Sequence, residues 1–140
     1  MIAFFTHDSA FKLTHIKHYQ KWLKDLIALY GKHPGKLNFI FCSDSYISEM
    51  NQYYLGHEGT TDVITFDYSD GFSNASICAD VYIGIETVRR NAIKFGAASF
   101  DEELLRVMVH GLLHLFGYKD DTEDEQRHMR TLEDAAICLF

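Results

Sequence analysis

The sequence predicts an α+β fold: a single domain with one mixed β-sheet of about four strands, covered by about five helices. Two observations carry this expectation. Strand-like and helix-like stretches follow one another in the order β-α-β-α-β-β-α-α-α, with no internal repeat, linker or low-complexity segment between them. One sheet covered by helices is the natural packing of such an order. The chain has 140 residues, 47% of them hydrophobic, and a single Pro. A domain of that size buries roughly two-thirds of its unfolded surface and needs no staples.

Ile2 to Thr6 is an apolar-aromatic run that reads as the first strand. From His15 to Tyr30, the residues Ile16, Tyr19, Trp22 or Leu23, Leu26 or Ile27 and Tyr30 recur at three- and four-residue steps, the period of one helix face. Gly31 stands where that helix would be capped. Tyr19, Trp22 and Tyr30 at this spacing are core residues. His33-Pro34-Gly35 reads as a turn, and Leu37 to Cys42 as a strand of β-formers. Ser43-Asp44 offers an N-cap for a helix running to about Leu55, before Gly56. Thr61 to Tyr68 reads as a strand, broken at Ser69-Asp70-Gly71. Ser76 to Gly84 is the next strand, and Ile85 to Phe95 a helix with Gly96 behind it. Ser99-Phe100-Asp101-Glu102 and Thr122-Glu123-Asp124-Glu125 are capping boxes, each pairing a hydroxyl with a glutamate three residues on. The first opens a helix that stops at Gly117. The second opens a last helix through Met129, Leu132, Ala136 and Leu139.

Composition excludes several classes. Net charge is -7 and the pI about 5.5, which argues against a general nucleic-acid coat protein. The charge is uneven. Six lysines (12, 17, 21, 24, 32 and 36) face only Asp25 between Phe11 and Lys36, whereas Lys119 to Asp134 holds seven acids against three bases. The basic stretch is either a solvated helix face or a side that meets a polyanion. No apolar run reaches 18 residues, so no membrane span or membrane partner is expected. The start lacks a basic, then apolar, secretory pattern. Three Cys (Cys42, Cys78 and Cys138), without CxxC spacing, predict no disulfide framework, buried inert thiols and a cytoplasmic location.

Chemistry concentrates in Val109 to Asp121. His110 and His114 are i and i+4 on one helix, so both imidazoles share a face one turn apart, as two ligands of one tetrahedral ion require. The helix ends at Gly117. The chain can then fold back to supply a third ligand, with Asp120 and Asp121 the candidates. The pattern is a zincin-like metal helix shortened to H-x-x-x-H. A zincin peptidase carries Glu directly after the first His as its base, and here that position is Gly111.

His110-Gly111-x-Leu113-His114-Leu115-x-Gly117-Tyr118 resembles the signature of the YbeY family, bacterial metal-dependent endoribonucleases of ribosomal RNA maturation. Met50-Asn51, Thr61-Asp62-Val63-Ile64-Thr65-Phe66, Asp80 with Ile83, and Met129 with Glu133 are similar to further family segments in the same order. The resemblance covers roughly Leu37 to Leu139. It implies a hydrolase acting on single-stranded RNA at the 3′ end of the small-subunit ribosomal RNA precursor. It also implies one divalent metal on His110, His114 and the third-ligand position. Two departures stand out. The third ligand of the family is His, and here Asp120 takes its place. An aspartate oxygen binds zinc, the first expectation, while the harder donor set admits manganese or iron. The family also carries an Arg shortly after its Leu-Asn, and that position is Leu55, read as a packing residue.

The general base is open among Asp62, Asp80 and Asp121, each close to a matched motif. Phosphate contacts are sought from His57, which could stand in for the missing Arg, from Arg89 and Arg90, or from the Lys12–Lys36 side. Two other classes remain. One is a peptidase-like hydrolase, against which Gly111 counts. The other is a non-catalytic, metal-stabilised ribosome-assembly or binding factor, in which a fourth ligand such as His128 closes the metal. The oligomeric state is left open.

Overall fold

The computed structural model describes residues 1–69 and 76–140. Strand β1 (Ile2–His7) leads to helix α1 (Ile16–Leu29), strand β2 (His33–Cys42), helix α2 (Asp44–Leu55), strands β3 (Val63–Asp67) and β4 (Ser76–Gly84), and helices α3 (Ile85–Lys94), α4 (Phe100–Leu115) and α5 (Glu123–Ile137). This is the expected order. The sheet runs β1-β2-β4-β3. β1, β2 and β4 are parallel neighbours, and β3 joins β4 antiparallel, which makes the sheet mixed. Of the breaker expected at Ser69-Asp70-Gly71, the last two residues lie outside the described residues.

Local chemistry sets the ends of the elements. The Ser43 hydroxyl accepts the Tyr46 N–H at 3.1 Å, and Gly56 ends α2 in the left-handed region at φ 68°. At α5 both halves of the capping box form between Thr122 and Glu125. At α4 the Ser99 hydroxyl accepts the Glu102 N–H, so the serine half of that expected box carries the cap.

His33-Pro34-Gly35 is a correction. These residues open β2 and do not form a turn, because pairing with Ser76 and Ile77 of β4 overrides the local Pro-Gly signal. The register slips between Pro34 and Leu37, a bulge that accommodates the proline. A Cβ on Gly35 would collide with Cys78 Sγ and Ser76 Oγ, so only glycine lets β2 run this close to β4.

Alternation along the strands sorts the two faces. Leu37, Phe39 and Phe41 of β2 and Ala79, Val81 and Ile83 of β4 are fully buried on one face, with α1 over β1 and β2 and α4 over β3 and β4. α1 buries Tyr19, Trp22, Leu23, Leu26 and Ile27. The Trp22 indole N–H donates to the Ala136 carbonyl at 2.9 Å and ties α1 to α5. The opposite face is covered by α2, whose Ile47 and Met50 pack on Cys42 and Ile64. Among the described residues no helix is long and apolar enough to cross a membrane.

All three cysteines are free, and the expectation that all are buried holds only for Cys42. Burial, then the charges of Asp44 and Asp8, push its thiol up to about 12. Cys78 is half-buried, and Cys138 is exposed because it caps α5 at the chain's end.

Candidate metal centre

Helix α4 positions the two histidines by resting directly on the sheet. Gly111 faces it: a Cβ there would stand 3.2 Å from Val81 Cγ1 and 3.4 Å from Thr65 Cγ2. A zincin-type glutamate at this position would point into the β3–β4 floor and away from the imidazoles. The absence of that side chain is therefore a packing requirement of this chain.

With Gly111 inward, His110 and His114 point to the outer side. Their Nε2 atoms lie 3.0 Å apart. After Leu115 the chain reverses at Gly117, whose φ of 102° needs glycine, and the Tyr118 N–H bonds back to the Leu113 carbonyl. That turn delivers Asp120. Its Oδ2 lies 3.3 Å from His110 Nε2 and 3.5 Å from His114 Nε2. Three ligand atoms thus converge from two segments of chain.

The convergence fits a small divalent ion. Metal–ligand bonds of about 2.0–2.2 Å in tetrahedral geometry hold ligand atoms about 3.3–3.6 Å apart. The two separations to Asp120, 3.3 and 3.5 Å, match that spacing, and the imidazole pair at 3.0 Å stands slightly closer. The tautomers fit as well. His114 Nδ1 donates to the Tyr118 carbonyl at 3.0 Å, and His110 Nδ1 donates to Glu133 Oε2 at 2.7 Å. With both Nδ1 atoms carrying protons, a neutral ring presents a lone pair at Nε2, the atom that faces Asp120.

Glu133 is 5% exposed. Its other oxygen accepts from Arg106 Nη1 at 3.0 Å, and Arg106 Nη2 donates to Asp134 at 2.7 Å. Burial pulls the His110 pKa down. The Glu133 bond and charge, then Asp120 and Asp62, outweigh it and hold the ring above its usual value. A cation beside the ring would answer the same carboxylates.

His110 and Asp120 of the triad open on a cleft of about 460 Å³ between α4 and α5. Of the three carboxylates considered for a base, Asp62 lines this cleft together with His110 and Asp120. Asp80 does not: it projects from the other face of β4, where Asn38 Nδ2 donates to it at 2.9 Å. Asp121 is exposed, just ahead of the α5 cap, and outside the cleft lining.

The expected phosphate contacts also lie elsewhere. His57 is exposed beyond α2 and bonds back through its N–H to Asn51. Arg89 sits over the Phe100 ring at 4.8 Å, and Arg90 donates to Asp44 Oδ2 at 2.6 Å. None of these, and none of the six N-terminal lysines, lines the cleft. Leu55, read as packing, is 46% exposed, since α2 turns its C-terminal end to solvent. His128 is exposed, edge-on to the Tyr118 ring at 5.9 Å, and is not among the converging ligand atoms.

Sequence reasoning missed Glu133 as the support of His110, Arg106 as the support of Glu133, and the cleft residues Arg127, Arg130 and Phe95. One signal was available. Glu133 falls at helical spacing between Met129 and Ala136, the buried stripe of α5. A carboxylate in an apolar stripe needs a partner.

The chain is similar to known proteins along most of its length. The family model described as Endoribonuclease YbeY matches residues 4–138. A protein of Flavobacterium psychrophilum named Endoribonuclease YbeY is 44% identical over 136 residues, covering 97% of this chain and 94% of that protein. One of the same name from Bacteroides thetaiotaomicron is 44% identical over 119 residues, covering 85% of this chain and 84% of that protein. Among solved structures, the solution structure of TM1509 from Thermotoga maritima is similar with a TM-score of 0.67 at 26% identity, covering 99% of this chain and 88% of that one.

Proposed function

The chain belongs to the endoribonuclease YbeY family, a hydrolase of RNA phosphodiester bonds, and we propose that it cuts single-stranded RNA at the α4–α5 cleft with one metal on His110, His114 and Asp120. The observation that carries this reading is the approach of His110 Nε2, His114 Nε2 and Asp120 Oδ2 to within 3.0–3.5 Å of one another. Zinc is the expected metal, with manganese or iron admitted by the carboxylate. When bound, a divalent ion supplies Lewis-acid polarisation of a phosphoryl oxygen and lowers the pKa of a water nucleophile.

The residues of the chain divide the remaining work. Glu133, clamped by Arg106, holds the His110 proton on Nδ1 and the ring in place. Tyr118 does the same for His114 through its carbonyl. Asp62 is the proton acceptor: it takes a proton from the attacking water as the new P–O bond forms and the old one breaks, the leaving oxygen being protonated from solvent. Arg130, on the cleft wall, meets phosphate oxygens in place of an Arg near Leu55. Five carboxylates line the cleft (Asp62, Glu103, Asp120, Glu123 and Glu133) against three guanidiniums. A dication offsets that excess, so RNA affinity at this cleft is metal-dependent.

The substrate is the 3′ end of the small-subunit ribosomal RNA precursor, met on the small ribosomal subunit in the cytoplasm, and residues 1–140 act as one hydrolase domain. The test is cleavage of single-stranded and duplex ribosomal RNA by stripped protein reloaded with zinc, manganese or iron. Cutting of the single strand that chelation abolishes and zinc restores is expected. Stoichiometric metal without cleavage of any RNA would overturn the hydrolase and favour the binding factor.

A further inference from the structure

The cleft extends past its metal end. Glu103 and His110 both line it from α4. They are seven residues apart, so they stand roughly 10 Å from each other along the helix axis. Phe95 and Arg130 line it as well. Phe95 closes α3, five residues before α4 begins at Phe100. Its ring is 57% exposed and packs with neither hydrophobic cluster. Lys94 lies over it at 5.4 Å. Arg130 shares that lining with Glu103 and is near enough to oppose its charge. Arg106 is committed to Glu133 and Asp134, and Arg127 to Asp124. Arg130 has no hydrogen bond or ion pair from its side chain among the described residues.

An exposed ring and an uncommitted guanidinium on the wall of an RNA-cutting cleft have a shared use. Every nucleobase has a π-face, so an aromatic ring holds single-stranded RNA without reading its sequence, while a cation tracks the phosphate. The cleft volume, about 460 Å³, falls within the roughly 300–1,000 Å³ typical of small-ligand sites. We propose that Phe95 and Arg130 form a subsite for the nucleotide adjoining the reacting phosphate, with the base stacked on Phe95 and its phosphate held by Arg130. The subsite rests on the endoribonuclease reading of the metal end. It accounts for a single-strand requirement: a paired base is stacked in its helix and cannot lie on Phe95.

The test walks a single abasic nucleotide along a fluorescent, phosphorothioate-protected single-stranded RNA and reads binding by anisotropy in zinc, with cleavage of the unprotected RNA followed in parallel. For the wild type, one position beside the scissile phosphate weakens binding by about 5- to 150-fold when its base is removed, the range for loss of one base–aromatic stack. Phe95→Ala weakens binding of intact RNA by a similar factor and no longer responds to the abasic position, and Phe95→Tyr restores both. Arg130→Gln lowers the slope of log affinity against log salt by about 0.7, one phosphate contact on a single strand. An abasic penalty that persists unchanged in Phe95→Ala, or no position-dependent penalty in the wild type, overturns the subsite even if the enzyme cuts RNA. A Phe95-dependent penalty without any cleavage upholds the subsite and overturns the hydrolase reading instead.

Discussion

On the α4 side of the sheet, β4 presents Ala79, Val81 and Ile83 to a helix that rests on them through Gly111. The residues above that floor are held from several directions: His110 by Glu133, Glu133 by Arg106, His114 by Tyr118. On the α2 side, β4 presents Asp80 and Tyr82 to a helix whose later turns leave Tyr53 81% and Tyr54 61% exposed. Both sides carry acids and aromatics near family-like motifs. Among the described residues, only the α4 side stacks a close-packed floor, a support for each imidazole and converging ligand atoms. A candidate residue acquires chemistry from what fixes it in place, and for His110 that fixing comes from an element far off in sequence.

The sharpest way to break this comparison is to exchange its two carboxylates. We expect Asp62→Asn to lower kcat on single-stranded RNA by about 10²- to 10⁴-fold, the usual worth of a proton-transfer group, with metal content unchanged. Asp80→Asn should alter kcat by less than about twofold and stability by at most roughly 1 kcal/mol, the worth of one hydrogen bond. Steady-state kinetics on both variants decides the matter, and equal losses would place the base on the wrong side.

Next in size is the floor. Gly111→Glu introduces the zincin residue where a Cβ already meets Val81 at 3.2 Å. Burying that carboxylate without a partner should cost about 3 kcal/mol or more, seen as a lower urea midpoint with no peptidase activity gained. A stable variant that cleaves peptides would show that the position faces the metal.

Glu133→Gln should weaken metal binding or activity by about 10- to 100-fold, the range for a group that supports a ligand, since the amide keeps the shape and loses the charge. Competition against a chelating dye measures it. The smallest effect concerns the thiols. Cys138 should react with iodoacetamide within minutes in folded protein, while Cys42, buried with its pKa pushed up to about 12, reacts only on unfolding, as peptide mass mapping would record.

Much of this molecule is legible from the chain itself. The α5 cap is a short-range hydroxyl–glutamate exchange, and His110 and His114 share a face because a helix repeats every 3.6 residues. Asp120 needed more: its neighbour Asp121 has the same chemistry, so spacing alone left both open; the family resemblance picked Asp120, and the turn at Gly117 brings it to the rings. What local pattern could not supply lies across long separations. Glu133 reaches His110 from 23 residues away. Arg90 is claimed by Asp44 from 46 residues away, which removes it from the list of phosphate contacts. The Pro34-Gly35 signal yielded to pairing with β4, a contact no nearby residue announces.

The most direct test of the three-ligand centre is metal content and RNA cleavage measured together on untagged wild type and Asp120→Ala, by elemental mass spectrometry and a single-stranded RNA assay. We predict about one metal per wild-type chain, as one three-ligand site requires, with both metal and cleavage lost in the variant. Metal retained at full occupancy in Asp120→Ala with cleavage intact would contradict it.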